Sequence, residues 1–86
     1  MRVQLNKSQY DAVNDLRGLP EDAHMLVMCS RRTARGGVLD GSEEAFDQLL
    51  SFISEELSYG VSARRARVLY SVAVAIDPDC ADWIGM

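Results

Sequence analysis

Eighty-six residues, 48% hydrophobic and 26% charged, make one domain with one thin core, and exclude a disordered, fibrous or multidomain chain. The net charge of −4 argues against general nucleic-acid affinity, because neutralising phosphates takes positive surface, although a local basic patch is compatible with the sum. No apolar run approaches the roughly 20 residues that a spanning helix needs.

Residues 1–5 read as a short strand with Val3 and Leu5 on one face and Arg2 and Gln4 on the other. Asn6 then caps a helix, with Gln9 three residues on as in a capping box and Leu5 and Tyr10 placed as a hydrophobic staple. That helix is expected to run through Val13 and Leu16 and to stop at Gly18, with Pro20 beyond. Residues 21–23 read as a turn and 24–31 as an apolar central strand. The segment 30–37 then forms a hairpin tip in which Gly36 and Gly37 supply positive φ, and Val38 begins the return strand that ends at Asp40 and Gly41.

The longest ordered stretch spans 42–76, two amphipathic helices joined at Tyr59, Gly60 and Val61. Phe46, Leu49, Leu50, Ile53 and Leu57 form one apolar stripe at helical period. Val61, Val68, Leu69, Val72 and Ile76 form another, with Ala73 and Ala75 thin enough for close packing. Ser42 and Ser62 are the caps, Gly60 closes the first helix, and Asp77 with Pro78 ends the second and opens a short helical tail. Trp83 and Ile84 are expected to tuck that tail against the core. The fold class is therefore α+β: a small two-layer domain over 1–86, in the order β-α-β-β-α-α, with a three-stranded sheet carrying helices on one face.

Cys29 and Cys80 follow no metal-ligand spacing, and Cys29 in its apolar run reads as a small buried hydrophobe. With no secretory leader in the sequence, a reduced, cytoplasmic protein is expected. His24 and Cys29 fall on opposite faces of the expected strand, which separates the one histidine from the nearest thiol. The glycines before Ser42 lack the lysine of a phosphate loop and are followed by Glu43, which repels phosphate. No acidic loop has the ligand pattern of a calcium site. No catalytic residue, metal site or cofactor is assigned.

Three charged groups remain. Arg31, Arg32 and Arg35 stand at the hairpin tip, where guanidiniums suit bidentate contact with carboxylate or phosphate. Arg64, Arg65 and Arg67 open the last long helix, at the positive end of its dipole, where cations are disfavoured unless Glu55 and Glu56 pair with them. Glu43, Glu44 and Asp47 make an acidic face on the preceding helix. A helix-turn-helix is not supported, since Glu56 stands where a small residue is wanted and Glu55 where an apolar one is.

The expected function is a small non-catalytic protein-interaction module, regulatory, inhibitory or immunity-type, docking through segregated charge and an exposed sheet edge. Homodimerisation through such an edge or through the helix pair is a secondary expectation. The alternative is a nucleic-acid-binding regulator using both arginine clusters, which requires them to share one face.

Overall fold

The computed structural model describes residues 1–78. Seven elements follow in order: β1 (Arg2–Asn6), α1 (Lys7–Asn14), α2 (Glu21–Met28), β2 (Arg31–Thr33), β3 (Gly36–Asp40), α3 (Glu43–Ser58) and α4 (Ala63–Ile76). The class is α+β, with a three-stranded antiparallel sheet in the order β1-β3-β2. Among the described residues no helix is long and apolar enough to cross a membrane.

The local signals explain most boundaries. Asn6 accepts a hydrogen bond from the Gln9 backbone N–H at 2.8 Å, and the Asn6 N–H donates to Gln9 Oε1 at 2.9 Å, so the capping box starts α1. Ser42 Oγ accepts from the Ala45 N–H and Ser62 Oγ from the Arg65 N–H, which fixes the starts of α3 and α4. Gly60, with φ of 80°, turns the chain out of α3 in a conformation that disfavours any side chain. The first stripe enters the core, with Leu57 half-buried against it, whereas of the second only Leu69, Val72 and Ile76 do, Val61 and Val68 staying half-buried outside the cluster. Phe46, Leu49, Leu50 and Ile53 from α3 meet Leu69, Val72, Ala73 and Ile76 from α4 beneath Val3, Leu5 and Leu39 of the sheet. Ala75, expected at the helix contact, is exposed, and Ala73 alone of the two is buried.

The principal correction concerns residues 21–31. The expected turn at 21–23 and the strand over 24–31 are replaced by α2, and β2 begins only at Arg31. The reason is periodicity. Ala23, Leu26 and Val27 stand at i, i+3 and i+4 and are buried, whereas Met25, Met28 and Cys29 project from the opposite side. Pro20 precedes the helix, and Glu21 and Asp22 in its first turn suit the positive dipole end. The central strand is consequently β3. Cys29 is exposed as a free thiol instead of buried.

Three smaller corrections follow. Helix α1 ends at Asn14, with Leu16 still buried beyond it, four residues before Gly18. The hairpin turn falls on Ala34 and Arg35, with Gly36 and Gly37 in β3. Of these two glycines only Gly36 has the positive φ expected of both. Both glycines are needed there for close approach. A Cβ on Gly36 (φ 148°) would lie 2.3 Å from the Leu5 carbonyl oxygen, and one on Gly37 would lie 2.2 Å from the Tyr10 ring. The tail residues Trp83 and Ile84, with Cys80, lie outside the described residues.

Candidate partner-binding surface

The sheet has two unlike faces. Val3, Leu5 and Leu39 point into the helical layer, and Gly37 lies among them with the Tyr10 ring against it. Alternation sends Arg2, Gln4, Val38, Asp40, Arg31 and Thr33 to the other face. All but half-buried Val38 are exposed, and no described element lies over them. The polar residues there are laddered: Arg2 pairs with Asp40 across the β1–β3 register at 3.4 Å, and the Gln4 amide donates to Thr33 Oγ1 at 3.3 Å. A groove of about 440 Å³ runs between Arg2, Cys29, Arg31, Thr33, Val38 and Asp40. Exposed Met25 and Met28 continue its Cys29 wall along the outer side of α2.

The three hairpin arginines differ in what they do. Arg32 pairs in register with Gly37, which itself pairs with Leu5, so its side chain goes to the helical side. There its guanidinium carbon sits 5.3 Å from the centroid of the Tyr10 ring, whose hydroxyl shares a 2.7 Å hydrogen bond with Ser30. Arg32 therefore has a partner inside the chain. Arg31 lines the open-face groove and Arg35 occupies the turn; among the described residues neither makes an ion pair or a ring contact. Strand β2 is one edge of the sheet, three residues long and exposed throughout.

The second arginine group lies elsewhere. Arg64 and Arg67 are exposed and Arg65 half-buried at the start of α4, a helix that packs on α1, α3 and β1. Helix α4 meets the sheet at β1, the edge opposite β2. The pairing of Arg64, Arg65 and Arg67 with Glu55 and Glu56 does not form; Asp77 aside, Arg2–Asp40 is the one ion pair among the described residues. The carboxylates gather on the α2–α3 side. Glu21, Asp22, Glu43, Glu44, Asp47, Glu55 and Glu56 lie on two packed helices that carry no lysine or arginine. Gln48 joins those helices, accepting from the Ala23 N–H and donating to Asp22.

Sequence reasoning missed the Arg2–Asp40 pair and the exposed Met25–Met28 ridge; the one signal for the second was Ala23, three and four residues before Leu26 and Val27, a weak marker ahead of an unbroken apolar run. Among the described residues no ionisable side chain is buried, apart from the Tyr10 phenol, and no group of histidine, cysteine and carboxylates could hold a metal ion. Comparison with protein-family models, with curated proteins and with solved structures finds no match to this chain.

Proposed function

We propose that this chain is a small non-catalytic protein-interaction module, a regulatory, inhibitory or immunity-type partner, that works in the cytoplasm and docks through segregated charge and its exposed sheet edge. The observation that carries the reading is the distribution of charge by layer. The sheet and its turn carry Arg2, Arg31, Arg32 and Arg35 against Asp40, in a chain of net charge −4 whose α2–α3 side is acidic. Such a separation steers encounter with a partner of complementary pattern and disfavours others. The exposed free thiol of Cys29 is in keeping with a reducing compartment. His24 and Cys29 both lie on the exposed side of α2, without the buried base–nucleophile geometry that catalysis uses.

The test is capture from the source cell's lysate, with and without nuclease, by three tagged proteins: the native chain, Arg31→Glu/Arg35→Glu, and Arg64→Glu/Arg67→Glu. A discrete protein that survives nuclease and is lost with the hairpin variant supports the module. Material that disappears with nuclease and depends on Arg64 and Arg67 replaces it with nucleic-acid binding, with a steep salt dependence as the check.

A further inference from the structure

We infer that the outer side of β2 receives an extended acidic segment of another protein as a fourth strand, its carboxylates held by Arg31 and Arg35. The inference rests on the interaction-module reading and names the chemistry of the partner. Three observations carry it.

The first is the edge itself. Among the described residues strand β2 pairs only with β3; it is exposed along its whole length and contains no proline, so its outer backbone groups are open to pairing. The second is charge. Arg31 and Arg35 pair with no carboxylate among the described residues, although the chain as a whole carries an excess of acid. Guanidiniums standing beside an open strand present bidentate donors to carboxylates on an incoming strand. The third is the adjoining groove. Arg31 and Thr33 line it together with Val38, Cys29 and the paired Arg2 and Asp40, so side chains of an added strand that point to the open face would meet Val38 and Arg31 on the near side, with Asp40 already held by Arg2.

The same features disfavour a second copy as the occupant. Two antiparallel β2 strands pairing edge to edge would set arginine opposite arginine, Arg32 against its own copy or, one register over, Arg31 against Arg32, and like charges directly opposite are destabilising. A short cationic edge protects against self-association, and here it leaves a complementary acidic strand as the favoured partner. Nucleic acid is the weaker fit, because helices α2 and α3 are acidic and carry no lysine or arginine.

The experiment is an amide NMR titration of the full chain with a capped peptide of about eight residues, an ordinary strand length, alternating glutamate and threonine. Parallel arms use the same peptide N-methylated at alternate amides, a lysine-for-glutamate version and a single-stranded oligonucleotide. The expected result is saturable shifts at residues 31–33 with affinity weakened about tenfold or more by N-methylation and by Arg31→Glu/Arg35→Glu, equivalent to about 1.4 kcal/mol per tenfold. The lysine peptide gives none. Absence of shifts at residues 31–33 up to about 1 mM peptide, the weak limit of useful affinity, overturns the inference. So does binding indifferent to N-methylation, which would make the arginines a polyanion patch, or oligonucleotide binding that displaces the peptide. Concentration-dependent dimer mass lost on Arg31→Glu would overturn it too, by assigning the edge to a second copy. Failure here with a protein still captured from lysate leaves the module reading in place; peptide binding with no protein captured removes that reading instead.

Discussion

Gly37→Ala tests how the hairpin is held. Gly37 has no positive φ, so alanine meets no backbone objection, and the whole effect comes from space. The added Cβ would lie 2.2–2.6 Å from three atoms of the Tyr10 ring, well inside van der Waals contact. The ring cannot yield cheaply. Tyr10 is buried, its hydroxyl is bonded to Ser30, and Arg32 stacks on its face. Overpacking of this sort costs about 1–3 kcal/mol. Displacing the ring would add about 1 kcal/mol for the hydrogen bond and about 0.5–1 for the cation–π contact. Since relaxation that relieves one term sacrifices another, about 3 kcal/mol is the expected loss.

That is a large share of the stability of a chain this size, at roughly 0.05–0.15 kcal/mol per residue. It corresponds to a fall in Tm of about 12–24 °C at roughly 4–8 °C per kcal/mol. Urea unfolding with an unchanged m-value measures it, and a double-mutant cycle with Tyr10→Leu isolates the cause. In the Tyr10→Leu background the glycine substitution should cost less than about 1 kcal/mol, because a flexible branched side chain yields where a bonded ring does not. A cost below about 0.5 kcal/mol in the native background, or one equal in both, would refute the stacking argument.

Other perturbations have distinct expectations. Gln9→Ala removes the return arm of the capping box and the 3.1 Å bond to Ser71 of α4, so it should destabilise by about 1–2 kcal/mol and speed hydrogen exchange at the start of α1. Gly60→Ala meets open space yet must hold φ near 80°, and about 1 kcal/mol should be lost in chemical denaturation through backbone strain alone. Arg64→Glu exchanges an exposed cation for an anion in the first turn of α4, which has no acidic residue there, and should raise stability by about 0.3–1 kcal/mol at low salt, less at high salt. In a Cys80→Ser background, Cys29 should react with a maleimide in the folded state at the rate of an unhindered thiol; protection until unfolding would contradict the placement of α2.

Where the sequence carried a complete local signal, the fold was legible. The Asn6–Gln9 box, the Ser42 and Ser62 caps, the Gly60 exit and the long stripes of α3 and α4 all combine a terminus with an uninterrupted period, so little tertiary information is needed. Residues 23–29 were misread because Met25 to Cys29 form an unbroken apolar run, and a run without polar interruption has no readable period. Only the burial of Ala23 separates the helix from a strand, and an alanine is a weak marker. The glycine pair was misplaced for a related reason. Gly36 and Gly37 look like turn residues, but the need for them is tertiary: Leu5 and Asn6 backbone against one, the Tyr10 ring against the other. The charged groups were identified by composition, whereas the place of Arg31 and Arg32 on an edge strand follows from β3 taking the central position and could not be read before α2 displaced the expected strand.

The differing contacts of the arginines also govern how binding data on them must be read. Arg31 and Arg35 touch nothing that the core depends on, so reversing their charge should leave stability within about 0.5 kcal/mol, and lost binding would then reflect lost contact. Arg32 is different. Its guanidinium lies over the ring that occupies the space above Gly37, and Arg32→Glu would disturb hairpin and partner contact together. Arg64→Glu shifts stability in the opposite direction, toward a better helix start. Comparing the three separates folding from recognition: a partner that tolerates the stabilised Arg64 variant but not the unchanged fold of Arg31→Glu/Arg35→Glu is reading the hairpin edge, and one with the reverse preference is reading the start of α4.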